Sequence, residues 1–246
     1  TNLSLYIEDY KLYKEGTGSE ESLENMLRSW RWVFHNCPEA TENIYVDGPT
    51  MIELMIGRAG NEAEKAALID TLGMMYDQRI KYFGKEGFVL GRKGVDIYTK
   101  DPSRFDKVFP DLKRSVELEG NESSAAVLVY YFRIAAKMVQ TGKLESSELV
   151  DIYDRVSTIV ENNLKTGKRS SSFENAQRNV ELTFEPYARC DDLVRIYQAK
   201  FDESPDDPDL LRKILSVLDK KGCAASELFF NVSVRLYELE PNAESA

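Results

Sequence analysis

The spacing of the apolar residues limits what this chain can fold into more than any other feature. They recur three and four positions apart, in stretches separated by few breakers: 14 glycines and 8 prolines in 246 residues. A period near 3.6 puts such residues on one face of a helix, whereas a half-buried strand needs a period of 2. Leu3, Tyr6, Ile7, Tyr10 and Tyr13 form the first face, which ends at Glu15-Gly16-Thr17-Gly18. Ser19 then offers an N-cap, with Ser22 a second candidate. The next face runs through Leu23, Met26, Leu27, Trp30, Val33 and Phe34. It stops at Cys37-Pro38, because proline cannot continue a helix there. Two helices joined by a short turn form an αα-hairpin.

The plan returns later. Val127, Tyr130, Tyr131, Ile134, Ala135 and Met138 make a stripe, Thr141-Gly142-Lys143 turns the chain, and Leu149, Ile152, Tyr153, Val156, Ile159, Val160 and Leu164 answer it. Near the end Pro208 opens a helix carrying Leu211, Ile214, Leu215 and Leu218, and Lys221-Gly222 closes it. Leu228, Phe229, Val232, Leu236 and Leu239 follow, up to Pro241. Further helices are expected from Asp47-Gly48-Pro49 through Met55, over roughly 62–83, 88–99 and 103–118, and over about 171–200 with a break at Pro186. Ile44-Tyr45-Val46 is the one β-branched and aromatic run, too short to start a sheet. The reading is therefore all-α, with about ten or eleven helices in hairpins over roughly 3–36, 48–83, 88–118, 121–165, 171–201 and 208–239. Hairpins that cannot bury both faces alone must stack on their neighbours. That is the logic of an α-solenoid, expected here as one domain over 1–246.

Composition narrows function. An apolar content of 42% supplies a core and excludes wholesale disorder. The formal charge of −10 would repel a phosphate backbone or an anionic membrane unless a local basic patch intervened. No run of about 18 apolar residues occurs, and the longest candidate, Ala125 to Val139, is interrupted by Arg133 and Lys137. The chain starts without Met or a hydrophobic leader and is read as a processed or trimmed product that could have lost a signal peptide. Cys37, Cys190 and Cys223 show no metal-ligand spacing. A Cys190–Cys223 bridge is possible, but buried free thiols are the favoured reading.

The rarest residues cluster: both Trp, the single His and Cys37 fall between residues 30 and 38. A helical step of two is about 200°, so His35 and Cys37 face apart, whereas a Cys–His nucleophile needs contact and an orienting third group. There is no second imidazole for zinc. His35 is placed on the exposed side of a last helical turn and Trp30 in the core. Trp32, off the stripe, is placed against an adjoining hairpin. Glu20-Glu21, Asp191-Asp192 and Asp206-Asp207 fall at expected helix starts, where carboxylates meet the positive end of the dipole, and no calcium loop is present. Gly91-Arg92-Lys93-Gly94, near Arg79, Lys81 and Lys85, imitates the GXXG loop that clamps a nucleic-acid backbone, but it lacks flanking strands. The plainer reading is that its glycines admit a neighbouring helix or open a helix.

"RSWRWVFHNCPEA" resembles the second helix of a tetratricopeptide repeat. "LLRKILSVLDKKGCAASELFFNVSVRLYELEPNAESA" resembles another, with Pro241-Asn242-Ala243 at a junction into a following repeat. Taken with "NIYVDG", "MYDQRIKYFG", "VLGRKGVDIY", "AAVLVYYF" and "PYARCDDLVRIY", the chain resembles the N-terminal part of bacterial tetratricopeptide-repeat proteins exported to the cell envelope. The resemblance implies a right-handed α-solenoid of stacked hairpins with irregular middle units, more repeats beyond 246, and a periplasmic or envelope location. It implies a scaffold for proteins or peptides and carries over no catalytic, metal or cofactor residue. Partner contacts are expected at Arg79, Lys81, Tyr82, Arg92 and Lys93, with Tyr45 as an exposed aromatic, in a groove lined by first helices. The alternative is nucleic-acid or anionic-ligand binding through the basic GRKG segment, with nucleic acid disfavoured by the net charge. An enzyme would need titratable groups converging in a pocket.

Overall fold

The structure is a computed structural model and describes residues 1–167 and 170–241. Asn242 and Ala243 of the expected repeat junction lie outside the described residues. Among those residues there are thirteen α-helices and no strand, so the all-α expectation holds. The chain divides into two compact units, residues 1–134 and residues from 135 onward.

The first unit contains α1 (Asn2–Glu15), α2 (Glu20–Asn36), α3 (Asn43–Val46), α4 (Gly48–Arg58), α5 (Glu62–Phe83), α6 (Glu86–Lys100) and α7 (Phe105–Glu119). Helix α8 (Ala125–Gln140) contains the division. Gly16 closes α1 at φ 69°, and the Ser19 hydroxyl caps α2 by accepting from the Ser22 amide. Helix α1 packs on α2, α4 on α5, α5 on α6, and α6 on α7. Trp30 anchors this core at 1% exposure. Its indole N–H donates to the Ile44 carbonyl at 2.8 Å, and its ring stacks on Phe34 at 5.3 Å between centroids.

The short β-branched and aromatic run is a helical turn, one of the helices beyond the ten or eleven expected. In a strand, Ile44 and Val46 would share a face opposite Tyr45. In a helix Ile44 and Tyr45 sit about 100° apart and can enter one core together. Both are fully buried, and Val46 is left exposed.

The second unit holds α9 (Ser146–Lys165), α10 (Ser170–Phe184), a 3₁₀ turn at Glu185–Tyr187, α11 (Cys190–Glu203), α12 (Pro208–Lys220) and α13 (Glu227–Leu239). Helix α9 packs on α10, α11 on α12 and α13, and α12 on α13. Asp207 caps α12 by accepting from the amides of Asp209 and Leu210, with Pro208 at the first helical position. Leu149, Val156, Leu193, Leu211, Ile214 and Val232 form the buried seam, and Tyr153 stacks on Phe184.

The expectation of free thiols fails for one pair. Cys190 and Cys223 form a disulfide, with their Cα atoms 5.4 Å apart. Cys190 opens α11, and Cys223 lies just past the end of α12, after Gly222 at φ 71°. The two positions are 33 residues apart, and nothing in the local sequence marks these helix ends as neighbours. Cys37 is free, as expected.

Candidate functional site

The residues singled out in the sequence belong to α3, α5 and α6, and folding takes Tyr45 and Arg79 into the core and ties Lys93 to carboxylates. Tyr45 is fully buried, a correction to its expected exposure. Its hydroxyl donates to the Pro38 carbonyl at 2.8 Å, and its ring meets Phe34 and Phe83. Burial pushes its phenol up to about 12. Arg79 is likewise core, at 6% exposure. Its guanidinium donates to Glu42 at 2.9 Å and, helped by Lys85 at 3.5 Å, holds that carboxyl below the usual glutamate range. Lys93 sits 2.7 Å from Asp77 and 3.1 Å from Asp111. Burial opposes its charge, but the two carboxylates prevail and hold its pKa up.

Lys81, Tyr82 and Arg92 keep access to solvent. The Lys81 ammonium lies over the Tyr82 ring at 4.7 Å. The guanidinium of Arg92 lies 5.2 Å from the Phe88 ring, and that of Arg79 lies 5.7 Å from it. Phe88, exposed by 44%, was missed in the sequence because it stands outside any periodic stripe.

The GRKG segment is not a loop. It lies inside α6, so its amides belong to a helix and are not splayed for a phosphate. Its glycines admit α7: a Cβ on Gly91 would lie 2.6 Å from Ser115 Oγ, and one on Gly94 would lie 2.5 Å from Leu112 Cγ. The plainer reading of the motif is the one the geometry carries.

Arg79→Ala is expected to destabilise the first unit by about 2–4 kcal/mol, losing a buried stem and a partly buried ion pair. Because the Glu42 pKa is depressed in the folded state, its stabilisation is present above about pH 4.5 and is lost as pH falls through the folded value. The gap between parent and Arg79→Ala, measured by urea unfolding, should therefore narrow below pH 4.5. A gap that widens in acid contradicts this.

A second surface carries more binding chemistry. Helices α2, α4 and α5 wall a cleft of about 270 Å³ lined by Arg28, Arg31, Arg58, Glu24 and Glu64 over Leu27, Met55 and Leu68. Arg58 pairs with Glu20 from the first turn of α2. Arg28 donates to the side-chain carbonyl of Asn25, and Arg31 reaches the Met55 thioether at 2.7 Å. Among the described residues no carboxylate pairs with Arg28 or Arg31. Trp32 is 47% exposed, which corrects the expectation that it packs on an adjoining hairpin. It stands about 200° around α2 from Trp30, whose face is taken by the core, and one turn from Arg28. Arg28 and Trp32 could have been paired from their four-residue spacing. Arg58, thirty positions beyond Arg28, could not.

His35 is exposed, as expected, with its ring 4.9 Å from Phe34, and Cys37 ends α2. Among the described residues no group of three His, Cys, Asp or Glu could hold a metal ion. No helix among them is long and apolar enough to cross a membrane.

No protein-family model matches the chain. No curated protein matches it either. Among solved structures, it is similar to a tetratricopeptide repeat protein from Parabacteroides merdae, at 13% identity and a TM-score of 0.47, covering 99% of this chain and 82% of that one.

Proposed function

We propose that the chain is a non-catalytic helical scaffold that binds an acidic segment of a partner protein in the cleft between α2, α4 and α5. One observation carries this reading: Arg28 and Arg31 face the cleft without a carboxylate partner, in a chain with ten excess negative charges. A guanidinium can take a carboxylate through two parallel hydrogen bonds, and Arg and Trp concentrate energy at protein interfaces. Leu27, Met55 and Leu68 add an apolar floor for the stems of the incoming residues. Lys81 with Tyr82, and Arg92 over Phe88, remain in the proposal as a smaller second contact set. A periplasmic or envelope location, implied by the resemblance, is supported by the Cys190–Cys223 bridge, since disulfides persist in oxidising compartments.

Isothermal titration of the chain with a synthetic Glu-rich peptide containing interspersed Leu tests the reading. Affinity should fall as salt rises. It should drop by about tenfold or more in Arg28→Glu/Arg31→Glu, the equivalent of one lost charge-assisted contact of ~1.4 kcal/mol. The Arg92→Glu variant should lose much less affinity than Arg28→Glu/Arg31→Glu, because Arg92 belongs to the smaller contact set. Equal binding by the charge-reversal variant, or none by the parent at low salt, overturns the proposal.

A further inference from the structure

The Cys190–Cys223 bridge lies on the wall of an open cleft of about 570 Å³, alongside Val194, Arg195, Gln198 and Ala225. Cys190 is exposed, whereas Cys223 is only 3% exposed. A reductant can therefore reach one sulfur without unfolding the unit. Accessible disulfides of this kind are the reducible ones, in contrast with bridges sealed in a core.

The turn that carries Cys223 holds the start of α11 in two ways. One is the covalent bridge. The other is Lys221, whose ammonium lies 2.9 Å from the Glu185 carbonyl and 3.7 Å from its carboxylate, in the 3₁₀ turn just before α11. The turn does not need the bridge for its own shape. Gly222 donates to the Asp219 carbonyl at 2.9 Å, Cys223 to Leu218 at 2.8 Å and Ser226 to Cys223 at 3.1 Å. The packing of α11, α12 and α13 rests on Leu193, Tyr197, Leu211, Ile214 and Val232, all buried apart from the cleft. Breaking the bridge thus leaves the helices and their core in place and removes one of two ties on the α10–α11 junction.

We propose that Cys190–Cys223 is a redox latch, opened in the folded protein by a dithiol reductant, that controls how tightly the start of α11 is held to the α12–α13 turn. A thiolate of the reductant attacks the exposed Cys190 Sγ. The Cys190–Cys223 bond breaks, and Cys223 leaves as a thiolate that takes a proton from solvent. The reductant's second thiol, once deprotonated, attacks its own sulfur in the mixed disulfide. The reductant closes its own disulfide and releases Cys190 as a thiolate. Two electrons pass from the dithiol, which is oxidised, to the latch sulfurs, which are reduced.

Dithiothreitol, added to the folded chain without denaturant, is the test. Free thiols should rise from Cys37 alone to all three cysteines while helical circular dichroism is unchanged. Deuterium uptake should rise in peptides spanning Glu185 to Arg195 and Lys220 to Glu227, and stay constant in peptides of the first unit. The double variant Cys190→Ser/Cys223→Ser should show the raised uptake with no reductant. A bridge that yields only in denaturant, a loss of helix on reduction, or unchanged local uptake overturns the proposal. If the double variant fails to fold, the reduction time course of the parent still decides.

Discussion

Gly94→Val lowers the stability of the first unit by about 3 kcal/mol or more and its melting temperature by on the order of 10 °C. The reason lies in the α6–α7 contact. A Cβ at Gly94 would stand 2.5, 2.7 and 3.2 Å from three side-chain atoms of Leu112, which is itself fully buried. Leucine cannot retreat, because its other sides are packed, so the two helices must part or α6 must rotate. Either movement also disturbs Gly91 and Gly87, which meet Ser115 and Glu119 along the same face. Gly94→Ala should be milder, since a helix gains about 1 kcal/mol from replacing glycine with alanine, and this offsets part of the clash. Gly57→Ala is the control: it lies in α4 with nothing within 4 Å of a new Cβ, and it should be neutral or slightly stabilising. Calorimetric melting of the three variants tests the set. A Gly94→Val protein that melts with the parent would show that α6 and α7 are not in this close contact.

The second large effect is alkaline unfolding above pH 10. Burial raises the phenol pKa of Tyr6, Tyr45 and Tyr76 in the first unit and of Tyr153 and Tyr197 in the second. Asp47 beside Tyr6 and Asp96 beside Tyr76 push in the same direction, because each carboxylate accepts from the phenol and would repel a phenolate. For a group whose folded pKa exceeds its unfolded value, the stabilisation is complete below the unfolded value. It is lost as pH rises from there towards the folded one. The unfolded tyrosine value is about 10, so the loss begins there. Each protected tyrosine contributes a slope of about 1.4 kcal/mol per pH unit, and the three of the first unit together contribute roughly 4. A unit of ordinary stability, about 5–15 kcal/mol, would then unfold within a few pH units of 10. Ultraviolet absorbance of tyrosinate and far-ultraviolet circular dichroism, followed in one titration, should move together for the protected fraction. Phenolate formation at those tyrosines with intact helical signal would contradict the packing of their rings.

Several features of the molecule are written in short stretches of chain. A helix is decided by residues within about four positions of each other, so the periodic stripes, the Ser19 cap, the Pro208 start and the Gly222 turn are readable one segment at a time. The burial of Trp30 follows too, because its stripe with Met26, Val33 and Phe34 has to face a core. The run Ile44-Tyr45-Val46, too short to start a sheet, gave no sign of the helical turn it forms, for the opposite reason. Its conformation is set by a core assembled from α2 and α5, and three residues cannot show that period.

Charge availability is the property that local spacing could not supply. Arg79, Lys85 and Lys93 read as a basic cluster with Arg92. Each of the first three finds its carboxylate on another element: Glu42 for Arg79 and Lys85, and Asp77 and Asp111 for Lys93. Meanwhile Arg28 and Arg31 look like ordinary surface residues of α2 until α4 brings Arg58 and Met55 across from them. The same holds for Cys190 and Cys223, whose meeting depends on how α11 lies against the α12–α13 turn. By itself the sequence determined the longer helices and which stripe of each is apolar, because these depend on near neighbours along the chain. Only the tertiary structure decided which charges are spent on each other, which thiols are joined and which arginines are left facing a cleft, because pairing depends on distance in space between residues far apart in order.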